Sequence, residues 1–220
     1  MQNFSFIQIT DHHLLESEEQ IREGFVPGHA LRMVMRHIAG NVADKADFII
    51  STGDLVEPPT EAAYACAAKL LGLDSSAMAP GPWRVNTEGL HNYPMYFVPG
   101  NHDDREMVTR CLFPDSKPAR LYNFTFEHKG VQFIFMDWGP ESKAVFLPET
   151  RQFLSQALQS DLPSVIVCHQ PSNSGYSTAL RRLIGRAAWL GQRGCRCRRP
   201  VPSWMLVSRR SGRRGTPIRG

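Results

Sequence analysis

Four short clusters in the chain carry residue types that bind metal ions: Asp11-His12-His13, Gly53-Asp54, Gly100-Asn101-His102-Asp103 and His169. Asp11 and His13 are two residues apart, which on an extended segment puts both side chains on one face, where they can share one ion. Asp54 follows a glycine that permits a sharp turn, and a single carboxylate has two oxygens with which to bridge two cations. Asn101 offers an amide oxygen and His169 an imidazole nitrogen. Such a mixture of carboxylate, amide and imidazole suits Mn, Fe or Zn, and not Ca alone. Each residue also has a plainer use. Asn101 could cap a helix over 103–111, and His169 could be a satisfied core histidine. His12 reads as facing solvent or substrate, and Trp83 as filling a local apolar gap, with stacking on a base as the alternative.

Each cluster stands where a short apolar run stops. Residues 4–9, 47–51, 93–98 and 164–168 read as strands, and each runs directly into one of the four clusters. Between them, Leu31, Val34, Ile38 and Val42 recur at helical spacing from Ala30 onward. Residues 60–72 are Ala-rich and read as a second helix, and Pro148-Glu149 opens a third with Phe153, Leu154, Ala157 and Leu158 on one face. Residues 120–126 and 131–136 form two strand-like runs joined by Glu127-His128-Lys129-Gly130, a hairpin signal. Residues 14–29 and 73–93 read as loops. Strands alternating with helices predict an α/β fold with part of its sheet parallel. In such sheets ligands bind beyond the carboxyl ends of the strands, so clusters far apart in sequence can converge.

The segments ITDHHL, STGDLVE, VPGNHDD and VIVCHQP, in this order, resemble the calcineurin-like metallophosphoesterases, whose pattern is D-x-H, GD, GNH[DE], a lone His and GH-x-H. The resemblance covers roughly residues 4–171. It is nearest to the bacterial cyclic-nucleotide phosphodiesterase and glycerophosphodiesterase branch. It implies a sandwich of two central β-sheets flanked by helices, here with the second sheet incomplete. It also implies two divalent metal ions (Mn, Fe or Zn), with Asp11 and His13 on the first, Asp54 bridging, and Asn101 and His169 on the second. His102 would face the substrate and protonate the leaving oxygen, and Asp103 would orient His102 through a hydrogen bond. The implied activity is hydrolysis of a small phosphodiester, of the cyclic-nucleotide or glycerophosphodiester class, by a metal-activated hydroxide. One element is missing: no histidine follows His169, so the GH-x-H motif is absent. This keeps two alternatives open, a degenerate non-catalytic member with a weakened metal site and an anion-binding protein that uses a basic tail.

Composition sets the remaining bounds. In 220 residues, 42% hydrophobic, no run of 18 apolar residues occurs, so no membrane span is expected. The net charge of +4 is the sum of two unlike parts: residues 181–220 hold 12 Arg and no Lys, Asp or Glu, and the rest of the chain carries −8. The division expected is a metallophosphoesterase domain over 1–171, C-terminally truncated, and an Arg-rich tail over 172–220, out of frame or disordered. The acidic body argues against long nucleic acid as a partner unless the tail is genuine, and a homodimer is compatible with the chain. Five cysteines, at 66, 111, 168, 195 and 197, suggest no disulfide framework and point to a cytoplasmic protein.

Overall fold

The structure, a computed structural model, describes residues 3–73, 82–117, 120–139, 147–170 and 188–190. The elements in chain order are β1 (Phe6–Ile9), α1 (Pro27–Asn41), β2 (Phe48–Ser51), α2 (Glu61–Leu71), β3 (Trp83–Val85) and β4 (Tyr93–Phe97). They continue with α3 (Arg105–Leu112), β5 (Phe124–His128), β6 (Val131–Phe135), α4 (Pro148–Ala157), β7 (Ser164–Val167) and β8 (Ala188–Leu190).

Two four-stranded sheets result, ordered β1-β2-β4-β3 and β5-β6-β7-β8. In the first, β1, β2 and β4 are parallel and β3 is an antiparallel edge. In the second, the β5–β6 hairpin is antiparallel, whereas β6, β7 and β8 run parallel. Alternation along each strand divides the core into three layers. Phe48 and Ile50 of β2 point to the second sheet, where they meet Phe133, Phe135 and Val167. Ile49, between them, points the other way, into the layer formed with Leu31, Met35, Tyr64, Ala67 and Val108 of the helices. On the far side, Ile134 and Ile166 pack against Leu154 of α4. The order helix, sheet, sheet, helix is the sandwich the resemblance implied.

Local chemistry explains the boundaries. Pro27 at the first turn of α1 loses no helical hydrogen bond there. The Thr60 hydroxyl caps α2 by accepting from Ala63 N at 3.2 Å, and Gly72 ends that helix at φ 55°.

Several expectations are corrected. α1 begins at Pro27, and its inward face is Leu31, Met35 and Ile38, while Val34 is exposed. Part of the 73–93 loop is β3, with Trp83 fully buried between Phe97 and Phe113 (ring centroids 4.7 and 5.4 Å), so it fills core. The helix after the third cluster is capped by Asp104, whose carboxylate accepts from Met107 N at 2.8 Å, and not by Asn101. The segment 172–220 lies outside the described residues except for β8, so the incompleteness expected of the second sheet concerns strands of which only β8 is described here.

Candidate metal centre

All four clusters sit at the carboxyl ends of parallel strands, β1, β2 and β4 of the first sheet and β7 of the second. Beyond the sheet, the segments after β1 and β2 continue side by side. Asp11 N donates to Gly53 O at 3.0 Å, His13 N to Asp54 O at 2.9 Å and Leu14 N to Leu55 O at 3.0 Å. Asp11, His13 and Asp54 have φ of 55°, 44° and 53°. This left-handed region costs a non-glycine residue of the order of 1–3 kcal/mol, and such residues gather at functional sites. Two glycines let the segments touch. A Cβ on Gly53 would lie 2.7 Å from Gly100 Cα, and one on Gly100 would lie 2.8 Å from Asp54 Cγ.

These contacts bring two imidazoles to one carboxylate. Asp54 Oδ2 lies 3.7 Å from His13 Nε2 and 3.3 Å from His169 Nε2, while Asp54 Oδ1 accepts from His102 N at 3.0 Å. His13 Nε2 is also 3.6 Å from Asp11 Oδ1, and His169 Nε2 is 3.2 Å from Asn101 Oδ1. The ligand atoms of Asp11, His13 and Asp54 all lie within 4.8 Å of one another. On each ring the other nitrogen is committed. His169 Nδ1 faces the Thr52 carbonyl at 2.7 Å, so it must carry the proton, and His13 Nδ1 faces Glu57 Oε2 at 2.8 Å. Both Nε2 atoms therefore turn toward oxygens that only accept.

The carboxylates and imidazoles shift one another's titration. Burial disfavours the charged form of His169, but the hydrogen bond and charge of Asp54 outweigh it and raise the pKa. The His13 pKa is raised chiefly by Asp11. Burial opposes ionisation of Asp54, yet His169 and the His102 N–H hold its pKa below the usual carboxylate value. Asp11, His13 and Asp54 thus offer donor atoms close enough to share one ion, and His169 and Asn101 adjoin them. Ligated imidazoles elsewhere show the same fixed orientation through the second ring nitrogen.

One expected role changes hands. The Asp103 carboxylate, 2% exposed, accepts from Gly100 N at 2.8 Å, Leu55 N at 3.0 Å and Val56 N at 3.4 Å. It ties the second cluster to the third, and burial pushes its pKa up to about 6. The carboxylate beside the His102 ring belongs instead to Glu57, whose Oε1 is 3.3 Å from His102 Nδ1. Sequence reasoning missed Glu57, though it stands three residues after Asp54 in STGDLVE. It also missed Arg22, whose guanidinium contacts Glu57 Oε2. His12 Nε2 lies 2.9 Å from Ser51 Oγ, and burial lowers the His12 pKa to about 4.

Acidic and imidazole groups converging at the strand ends of a two-sheet sandwich make a metallohydrolase-type centre. The particular family follows from comparison with known proteins: the profile of the calcineurin-like phosphoesterases matches residues 4–200, and the chain belongs to that family. The match extends past residue 171 and includes β8. Comparison with curated proteins gave no match. Among solved structures, a protein of unknown function from Aquifex aeolicus is similar at 13% identity with a TM-score of 0.40, over 86% of this chain and 90% of that one. The purple acid phosphatase from yellow lupin (Lupinus luteus) seeds is similar at 13% identity with a TM-score of 0.48, over 80% of this chain and 32% of that one.

Proposed function

We propose that the protein hydrolyses a small phosphodiester, of the cyclic-nucleotide or glycerophosphodiester class, at a centre of two divalent ions drawn from Mn, Fe and Zn. The observation that carries the reading is Asp54 Oδ2, set between the Nε2 atoms of His13 and His169, the His169 ring being held from behind by the Thr52 carbonyl. Asp11, His13 and Asp54 would hold one ion, and Asp54, Asn101 and His169 the other. Bound there, such ions would supply charge to the phosphoryl oxygens and lower the pKa of water.

The chain's own part is positioning and proton transfer. Glu57 Oε1 lies 3.3 Å from His102 Nδ1, which leaves Nε2 as the ring nitrogen to hand a proton to the departing alkoxide oxygen. The His102 ring meets the His13 ring edge-on at 5.1 Å, so the proton donor stands beside the first ion's ligands. Asp103 acts through the backbone, by holding the segments of Asp54 and Asn101 together. Among the described residues no helix is long and apolar enough to cross a membrane. Cys66, Cys111 and Cys168 are free thiols, which supports a reducing, cytoplasmic setting. We further propose that every ligand of the metal centre lies before residue 171 and that the Arg-rich segment is out of frame, although the family match runs on to residue 200. Sequencing the 3′ end of the gene in all three frames tests this, and recovery of a GH-x-H in another frame is the expected result.

The test of function is hydrolysis of bis(p-nitrophenyl) phosphate by the full chain with and without Mn, beside Asp54→Asn. Turnover that needs Mn and falls at least a thousandfold in D54N is expected. Turnover indifferent to Mn would sink the proposal. A second reading has one observation in its favour, the lack of any histidine after His169. Two Mn bound per chain without turnover would establish a non-catalytic member.

A further inference from the structure

The turn at residues 22–25, between β1 and α1, is not used by the chemistry above. Arg22 N donates to Phe25 O at 2.8 Å and Phe25 N to Arg22 O at 3.0 Å, an isolated antiparallel bridge. The two central residues, Glu23 and Gly24, have φ of 49° and 87°. Positive φ at both is the signature of a tight two-residue hairpin turn. Residues directly opposite in such a pair send their side chains to the same face. Arg22 shows which face that is, because its guanidinium rests on Glu57, the carboxylate that also meets His13 Nδ1 at 2.8 Å and His102 Nδ1 at 3.3 Å. The pairing therefore puts Phe25 on the face from which Arg22 reaches Glu57. It is nonetheless 49% exposed, whereas the phenyl rings of Phe48, Phe97, Phe113, Phe124, Phe133 and Phe135 are buried.

An aromatic ring left half in water forgoes burial energy that the core phenylalanines collect. Beside a phosphoester site, the group that can restore that burial is the organic substituent of the ester. We propose that the turn is a recognition lip: Arg22 anchors it to Glu57, and Phe25 packs against a planar aromatic ester group of the substrate. This rests on the phosphoesterase reading and deepens it, because it favours substrates with an aryl or nucleobase substituent over those with glycerol. Ile21, 68% exposed, precedes Arg22 and lies outside the Arg22–Phe25 bridge, so it serves as the control.

Calorimetric titration of the Mn-loaded full chain with phenylphosphonate and with methylphosphonate tests the lip. Their C–P bonds resist hydrolysis, so binding is read whether or not the protein turns over. Phenylphosphonate is expected to bind about five- to tenfold more tightly, the range typical of an aromatic pair. Phe25→Ala should bring the ratio close to one and leave methylphosphonate affinity unchanged. Phe25→Trp should keep the preference, and Ile21→Ala should not alter it. Equal affinities in the wild type, or a preference that survives in F25A, overturn the lip alone. Binding of neither phosphonate overturns the phosphoesterase reading, and the lip with it.

Discussion

At the scale of single residues, the centre depends on groups that bind nothing themselves. Asp103 is the clearest. Its carboxylate takes N–H groups from Gly100, Leu55 and Val56, contributed by two clusters that sequence separates by more than forty residues. Removing the acceptor leaves three buried donors, each worth about 1–3 kcal/mol. Asp103→Ala should therefore lose at least about 3 kcal/mol of unfolding free energy by urea titration, with Mn affinity falling alongside. A carboxylate whose only task was to orient His102 would give the opposite pattern, full stability with lost turnover. Nothing in GNHDD distinguishes these roles, because Asp103 and Asp104 are alike in type. Only the fold assigns one to the interior and the other to the cap of α3. The metal-binding residue types were legible in sequence for the converse reason: acids and imidazoles at the ends of apolar strands have few structural uses.

At the scale of elements, strands were easier to read than the faces of helices. β2 and β7 are short apolar runs with a polar stop, and both appear within a residue of expectation. On α1 the expected face agrees at Leu31 and Ile38 and differs between them, since Val34 and Met35 are equally apolar and only packing chooses between them. The polar side of α1 has its own function. Arg32 and Arg36 both reach Glu88 in the loop before β4, at 2.7 and 2.5 Å, and Arg32 also pairs with Glu18 at 2.5 Å. The two guanidinium groups hold the Glu88 pKa below its ordinary value near 4.5. A carboxyl that releases its proton more readily when folded gives stability that is complete above the unfolded pKa and is lost as pH falls through the folded one. Glu88→Gln should therefore cost up to about 1 kcal/mol at neutral pH, a partly exposed pair being worth little more. Thermal unfolding across pH should show the wild-type and variant curves converging in acid. A gap that stays constant down to the acid limit would show that the contact is not electrostatic.

For the whole molecule, the question is what keeps two sheets in one relation precise enough for His169, after β7, to meet Asp54 and Asn101 of the first sheet. The phenylalanine-rich layer between the sheets gives the bulk of the adhesion but little direction. Direction comes from Arg105 at the start of α3, 6% exposed, which donates to both oxygens of Asp137 (3.2 and 2.6 Å), just past β6 in the second half. The same guanidinium donates to Gly100 O at 2.7 Å and to Gly139 O at 2.8 Å, and so fixes the Asn101 turn against the second sheet. Neither residue stood out in sequence, because a charge 32 positions from its partner reads as surface. Breaking one side of a buried pair leaves an uncompensated charge and costs about 3–5 kcal/mol. Arg105→Met is expected to lose that much in urea unfolding and to weaken Mn binding, although Arg105 touches no ion site directly. Asp137→Asn should lose less, since the amide oxygen can still accept from Tyr122 N or Gly139 N. Adding D137N to R105M removes the orphaned charge, so the double variant should be more stable than the sum of the single losses predicts, by about 1 kcal/mol or more. Additive losses would mean that the sheets are aligned by their apolar layer alone, and the Arg105–Asp137 pair would then have no part in bringing His169 to Asp54.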